Sequence, residues 1–541
     1  MPQEESKPVD EAEATKAVEE LQIGDGSTST EKTSKKDKLK AAVSSVASSS
    51  KKDATPKSAN DPIPASALDA LSTDQIADLL ASNPTLRNSL PKEPNALRAA
   101  LKNISAADLM TGLSQGNNAK DMASHKFWAT QPVVSYDAVG KGDKKAFQDG
   151  PIKVIDKDRV PKTPAGLIEG FEWCVMDLLK DEELEEVRLL LSGHYVEDDE
   201  ALFRFDYSGS MLKWALMAPH WRKEWHVGVR AAKSKKLVAF ISAIPVTLKV
   251  KEKEIAASEV NFMCVHKKLR AKRLAPVLIT EITRRCYVEG IYQAIYTGGN
   301  LLPTPVASCR YFHRALDWEK LYTVGFSPMP HGSTKQRQIA KYKLPERTST
   351  PGLRQMEEKD VVGVTDLLKR YLDKMQVSQS FSEEEVRHWL VDKQSDPRAK
   401  DRVVWTYVVE RNGKVEDFIS FYCLESTVIN ATGGNTSIKA AYLFYYATET
   451  AFQNDDKVLS ERLNALAKDA LICAKQAKFD VFNALTLLDN PFFLQKQLFG
   501  AGDGQLHYYL YNYKTLPVPS GVDDKNQVDE KQRRGMGVVM L

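Results

Sequence analysis

Apolar positions divide the chain near Lys126. Before it, residues 1–60 are rich in Lys, Glu, Ser, Thr and Ala and carry no aromatic side chain, a composition that cannot bury enough apolar surface to offset ordering entropy, so disorder is expected there. ALDALSTDQIADLLA and AADLMTGL, between residues 65 and 113, show helical spacing with Ser72 or Thr73 as a cap and predict short peripheral helices. From HKFWATQPV onward aromatic and branched residues are dense. Strand character occurs at LFRFDYS, KLVAFISAIPVTLKV, SEVNFMCV, QAIYTGG, RVVWTYVVE, DFISFYCLE, AAYLFYYAT and YYLYNYK. Helical spacing occurs at MDLLKDEELEEVRLLLSGH, APVLITEITRRCYVEG, DVVGVTDLLKRYLDKM, SEEEVRHWLVD and VLSERLNALAKDALICAKQ. Strands and helices interleave, which predicts an α/β (α+β) fold. The order of helices, long aromatic strands, a helix and a further strand occurs twice, so two similarly built halves are expected without a short-period repeat.

Composition narrows the function class. The 541 residues, 42% hydrophobic and 27% charged, suffice for more than one core. Lys+Arg 75 against Asp+Glu 72 gives a net charge of +3, so bulk charge predicts no DNA binder and any anion site has to be local. Cys174, Cys264, Cys286, Cys309, Cys423 and Cys473 form no C-x-x-C pair, which disfavours a disulfide framework or a zinc site; no metal is expected, and reduced thiols fit a cytoplasmic protein. MPQEESKPVD lacks a signal-peptide core, and the best apolar run, residues 237–248, is too short and interrupted to span a bilayer. In the tail, EKTSKKDKLK and KKDATPK are basic stretches that could touch ribosomes, RNA or an anionic membrane surface.

The most informative segment is EVNFMCVHKKLRAKRLAPVLITEITRR. A buried-type strand, 259–265, leads through Lys267, Lys268, Arg270, Lys272 and Arg273 into a helix whose Leu274, Leu278, Ile282 and Cys286 share one face. Pro276 fits only the first turn, which places the helix start near Arg273. Cations beside the free N–H groups of a helix start suit phosphate. A solvated basic loop would read the same way. There is no G-x-x-x-x-G-K-[ST] loop, and a phosphorylated small molecule, with coenzyme A pyrophosphate foremost, is the natural candidate. Arg270-x-x-Arg273-x-Ala275 resembles the Q/R-x-x-G-x-G/A loop of GNAT-type acyltransferases, with Arg273 in place of the central glycine.

EVNFMCVHK is similar to the E-[IV]-N-F-L-C-x-H-K signature of the glycylpeptide N-tetradecanoyltransferases, the N-myristoyltransferase family, and LFGAGDG resembles their K-F-G-x-G-D-G signature. HKFWATQPV, YVEDDEALFRFDYS, CRYFHRAL, KFDVFNAL and YYLYNY also resemble family segments in the family's order, so the likeness covers about residues 121–541. Met263 stands for a usual Leu, Ala271 for Ser, Glu200 for Asp and Leu498 for Lys. The resemblance implies two fused GNAT-like halves with pseudo-twofold symmetry, 121–330 holding myristoyl-CoA and 331–541 supplying most of the peptide site, behind a disordered 1–120. It implies an acyltransferase that moves myristate from myristoyl-CoA, a substrate and not a cofactor, to proteins beginning Gly-x-x-x-Ser/Thr. A monomer is expected, with no DNA partner and with the basic tail as a ribosome contact.

Residue by residue, the resemblance assigns His125, Lys126, Phe127, Trp128, Asn261, Phe262, Met263, Cys264, Val265 and the loop Leu269, Arg270, Ala271, Lys272, Arg273, Leu274 and Ala275 to acyl-CoA. Backbone N–H groups of Phe262 and Met263 would polarise the thioester carbonyl. Tyr195, Val196, Asp198, Phe203, Phe205, Tyr207, Tyr311, Phe326 and Tyr442 would line the peptide groove, His313, Asp503 and Gly504 would meet the substrate hydroxyl, and the acidic run 197–200 would attract basic substrate residues. Taken alone, FGAGDG reads as a tight turn. The catalytic base implied is the terminal carboxylate of Leu541, with Asn261 and Thr297 positioning the amine. Another GNAT-like acyltransferase, a non-catalytic acyl-CoA- or lipid-binding adaptor, and a nucleic-acid-binding protein with salt-steep binding are the competing classes.

Overall fold

A computed structural model of the chain describes residues 125–135, 147–197, 202–392, 402–429 and 437–541. The expected disordered tail, the helices at 65–113, Asp198 and Glu200 lie outside the described residues. Those described fall into two compact units, one of residues 125–130 with 300–303 and one holding the rest. In the smaller unit, Trp128–Thr130 forms a single 3-10 turn, closed by Ala129 N donating to His125 O and Thr130 N to Phe127 O (both 3.0 Å).

The larger unit is built around a 15-stranded mixed sheet. Its first half contains β1 (Phe171–Val175), α1 (Asp181–His194), β2 (Phe203–Asp206), α2 (Gly209–Leu216) and β3 (His226–Ala231). It continues with β4 (Leu237–Val250), β5 (Lys253–Val265), α3 (Leu274–Val288), β6 (Gln293–Gly298) and β7 (Ala307–Ala315). After two short helices the second half repeats the order: β8 (Leu353–Gln355), α4 (Val361–Leu372), β9 (Val377–Ser380), α5 (Glu383–Leu390) and β10 (Val404–Arg411). Then come β11 (Lys414–Val428), β12 (Ser437–Thr448), α6 (Asp456–Gln476), β13 (Val481–Leu485), β14 (Gly500–Tyr511) and a last short β15 (Met536–Gly537).

Pairing repeats with the order. β4 and β5 are antiparallel, as are β11 and β12; β5 runs parallel to β6 across α3, and β12 parallel to β13 across α6. The halves also exchange strands. β14 lies between β6 and β7, and β7 between β14 and β13, while β2 pairs with β11 and β9 with β4. The two-half α/β expectation therefore holds, and the halves are sewn into one sheet. Helices form where apolar residues recur at three and four positions: Leu274, Leu278, Ile282 and Cys286 of α3 bury against Val227, Val229, Val238 and Ile241, and α5 opens on a Ser382/Glu385 capping box.

One feature of the sheet creates the site. The parallel ladders are short, Ala257–Val260 opposite Gln293–Tyr296 and Ala440–Tyr442 opposite Val481–Asn483. Just beyond, each outgoing strand bulges: Phe262 and Met263 face the single residue Ile241, and Phe444 and Tyr445 face Ser420. A bulge turns main-chain groups out of the ladder and bends its strand away. Buried serines pin both, Ser242 Oγ donating to Asn261 O (2.9 Å) and Ser420 Oγ to Tyr445 O (2.6 Å).

Candidate active site

At the β5 bulge Phe262 has φ 57°, a left-handed conformation that costs a non-glycine residue about 1–3 kcal/mol unless its surroundings enforce it. They do so: Phe262 is buried, with Tyr207 at 5.3 Å and Tyr195 at 6.0 Å between ring centroids. Burial raises the Tyr195 phenol, and a hydrogen bond from the Phe262 main chain works the other way. Met263 turns outward and is 38% exposed. Asn261 and Thr297 are the first residues past the last bridged pair, Val260 and Tyr296, so both stand where β5 and β6 part.

Asn261 Nδ2 donates to Glu259 Oε1 (2.6 Å). Glu259 carried no role in the sequence reading, yet burial raises its carboxyl to about 7 despite that bond. Because the folded value lies above the ordinary one, the stability this group contributes is complete below about pH 4.5 and is lost as pH rises through about 7. Glu259→Gln should abolish that slope and exceed the parent in stability by roughly 2–4 kcal/mol at pH 8. Urea melts at pH 4.5 and 8 check it, and parallel slopes for both proteins would contradict it.

The strand ends in Cys264 and Val265, and the basic loop proves to be a 3-10 turn, Lys267–Lys272. Arg273 follows in the left-handed conformation (φ 58°) and α3 starts at Leu274. Arg273 thus adopts the backbone shape for which a glycine is normally kept. Leu269 and Leu274 anchor the turn in the core and Ala275 lies in the first helical turn. Arg270 Nη2 donates to His194 O (2.5 Å), whereas Lys268 and Arg273 are exposed. Lys267 pairs with Glu197, to which Arg204 Nε also donates (2.6 Å). Glu197, expected to attract substrate, is therefore already neutralised by the chain's own cations.

A band of aromatic rings continues from the bulge. Tyr207 meets Phe205 at 6.0 Å, Phe205 meets Tyr442 at 6.3 Å, and Phe203 meets Phe326 at 5.6 Å. The exchange of β2 onto β11 puts these first-half rings against the second half, and Val196 O accepts from Phe205 N (3.2 Å). Across β12, β13, β7 and β14 the register aligns Tyr442, Asn483, His313 and Gly500 in one row. His313 Nδ1 is 2.7 Å from Asn483 Oδ1, its ring 5.5 Å from Phe326. FGAGDG is not a turn but the start of β14, whose register shifts between Ala501 and Gln505. Gly502 there abuts His313 Nε2 so closely that any Cβ would collide with the ring, and a Cβ on Gly504 would touch Tyr311 (3.4 Å). Asp503 is close enough to act electrostatically on His313.

Burial holds His313 below the ordinary histidine value, with Asn483 and Asp503 opposing. Above about pH 6.5 that leaves the ring neutral, and since an amide oxygen only accepts, Nδ1 carries the proton and Nε2 the lone pair. Asn483, which fixes this tautomer, was missed; it lies within KFDVFNAL, but nothing in the segment marks that one residue. On the substrate-hydroxyl role that the resemblance implies for His313, preference for Gly-x-x-x-Ser over Gly-x-x-x-Ala peptides should be flat above about pH 6.5 and fall only at lower pH, as competition kinetics would record. A preference that halves between about pH 6.5 and 8 would show that the imidazolium is the recognising form.

The chain's end is tightly held. Arg533 and Arg534 place Nε 3.1 and 3.0 Å from Asp489 Oδ1, and Tyr371 donates to Oδ2 (2.8 Å). β15 pairs in parallel with β9. Val538, Val539 and Met540 are buried, and Leu541 packs half-buried on the same core. His125, Lys126, Phe127 and Trp128 belong to the smaller unit, where the Phe127 and Trp128 rings meet edge-on at 5.3 Å.

Two family models match the chain, the myristoyl-CoA:protein N-myristoyltransferase N-terminal domain at residues 151–309 and the C-terminal domain at 323–539. The glycylpeptide N-tetradecanoyltransferase of Aspergillus fumigatus is 58% identical over 474 residues, 87% of this chain and 95% of that one. Its Saccharomyces cerevisiae counterpart is 46% identical over 437 residues, 78% and 93% of the two chains. A crystal structure of the Saccharomyces cerevisiae N-myristoyltransferase with bound myristoyl-CoA superposes with a TM-score of 0.74 at 46% identity, covering 77% of this chain and 99% of that one. With the signatures, the duplicated sheet and these relatives in agreement, the chain belongs to the myristoyl-CoA:protein N-myristoyltransferase family and is an acyltransferase.

Proposed function

We propose that the chain transfers the tetradecanoyl group of myristoyl-CoA to the α-amine of an N-terminal glycine, by direct attack on the thioester. The observation that carries this reading is the continuity of one segment: the bulge at Phe262 and Met263 stands where the sheet opens, and the same strand runs on into the basic turn at the start of α3. One molecule bearing both a thioester and a pyrophosphate fits that run. As the C–N bond forms, negative charge gathers on the carbonyl oxygen, where each fixed N–H donor lowers the barrier by on the order of 3 kcal/mol. The C–S bond then breaks and CoA leaves as the thiol. The carboxylate of Leu541 first takes a proton from the α-ammonium and gives it up to solvent; the second proton, lost from nitrogen as the C–N bond forms, passes through the same carboxylate to the departing sulfur. An α-ammonium has a pKa of about 8, so a placed carboxylate suffices as acceptor. His313 and Asp503 read a substrate Ser or Thr hydroxyl, and the aromatic band from Tyr195 to Tyr442 holds the peptide.

The test is incubation with labelled myristoyl-CoA and peptides beginning Gly-x-x-x-Ser or Ala-x-x-x-Ser, read by mass spectrometry. The reading expects one tetradecanoyl group on the Gly peptide alone; binding of myristoyl-CoA without transfer to either would make the chain an acyl-CoA-binding adaptor. For the phosphate turn, Lys272→Ala with Arg273→Ala should weaken myristoyl-CoA binding by at least about tenfold, since a charge-assisted phosphate contact contributes roughly 1.5–3 kcal/mol. Equal affinities by calorimetry would return the turn to a solvated surface.

A further inference from the structure

The second half keeps the bulge of the first but has no thioester to polarise. Where β5 parts from β6 lies the opening assigned above to the acyl-CoA. At the matching place beyond β12 and β13, the chain's own end is found. Arg534 N donates to Leu488 O (3.1 Å) and Leu488 N to Met536 O (3.0 Å), just past β13. Val539 N donates to the hydroxyl of Tyr445, on the β12 bulge (3.0 Å). The tail therefore bridges the two strands where their ladder ends.

Tyr445 is built to be immobile. It is fully buried, its ring lies 5.0 Å from Phe381 and 4.7 Å from Phe444, and its carbonyl accepts from Ser420 Oγ. Only Met540 separates Val539 from the terminal residue. We infer that Tyr445 is a positioning residue for the terminal carboxylate: the bulge that in the first half serves the thioester serves in the second to set the chain's end. Duplication has thus supplied both sides of the reaction from one structural element. The inference rests on the reading that Leu541 carries the base. The charged groups acting on Tyr445 are Glu259 of β5 and Glu385 of α5, and burial keeps its hydroxyl protonated.

Tyr445→Phe removes one oxygen and leaves the ring packing in place. Under single-turnover conditions with saturating myristoyl-CoA and peptide, its transfer rate should fall on the order of tenfold or more, because displacements near 1 Å already carry such losses. Affinity for myristoyl-CoA should stay within about twofold, a change too small to signify lost contacts. The residual rate should climb with pH up to the amine's own pKa of about 8, because solvent must then deprotonate the amine. Val539→Pro deletes the donor from the other side, and the double variant should be no slower than the worse single one, as residues sharing one contact behave. Wild-type rate and pH profile for Tyr445→Phe would overturn the inference, as would a slow variant with an unchanged pH profile and weakened acyl-CoA binding, which is the mark of general damage. A chain extended beyond Leu541 separates the two claims: if it transfers normally, the base assignment has failed, whereas a dead extension beside a normal Tyr445→Phe rejects Tyr445 alone.

Discussion

A chain lengthened by one glycine beyond Leu541 is expected to bind myristoyl-CoA as before and to transfer its acyl group at less than about a hundredth of the rate. The extension converts the carboxylate into a neutral amide and carries the new charge up to about 3.6 Å onward, while Val538, Val539 and Met540 keep their buried contacts. Neither packing nor the bond from Val539 to Tyr445 need change. The loss should therefore appear in the single-turnover rate and not in calorimetric affinity or in circular dichroism. Transfer at the parent rate from pH 6 to 9, about one to two units either side of the amine's pKa, would mean that an internal group is the base.

The second large effect is expected from Gly535→Ala. A Cβ at this position would run into the main chain of Pro519, and main-chain atoms cannot rotate aside as a side-chain tip can. Gly535 also supplies the carbonyl that accepts from Val377 N (2.9 Å), next to the Asp489 cluster. Relief of the clash must shift the strand that ends at Leu541, so transfer should fall by tenfold or more, on the order expected for an ångström-scale displacement, with myristoyl-CoA affinity nearly unchanged. Stopped-flow transfer beside calorimetry checks it. An unimpaired rate would show that the Pro519 segment yields and the tail does not.

The run from β5 through the basic turn to α3 was legible because a buried-type apolar run gives way to a period-four pattern across a cluster of cations, and each part folds from local signals. Two central strands were not legible. β7, ASCRYFHRA, interrupts its apolar residues with Arg310, His313 and Arg314 and so shows no strand pattern. Arg314 is nonetheless 3% exposed, its guanidinium donating to Gln497 O (2.7 Å) and lying 4.9 Å from the Tyr342 ring, and burial lowers it to about 10. β13 is five residues long, buried throughout, and too short to show a period. The glycines of β14 suggested a turn because its bulge needs the same small residues.

The exchange of β2, β7, β9 and β14 between halves has no local signature, since it depends on pairings between distant segments. The same limit applies to Glu197. Its acidic neighbours are adjacent in sequence, whereas Lys267, which neutralises it, is 70 residues away. Tyr445, Asn483 and Glu259 escaped notice for a related reason: each is one aromatic or polar residue in a strand, and only register reveals what it faces.

In a structure of the chain with a non-hydrolysable thioether analogue of myristoyl-CoA and a Gly-x-x-x-Ser peptide, each group of the proposed transfer has a required distance. The site of the reacting carbonyl's oxygen should lie within hydrogen-bonding reach, about 3 Å, of the Phe262 or Met263 N–H. The Leu541 carboxylate should stand one hydrogen bond, or one bridging water, from the glycine nitrogen. A carbonyl site away from the β5 bulge, or a glycine nitrogen served by an internal side chain while the terminal carboxylate faces elsewhere, would contradict the proposed transfer.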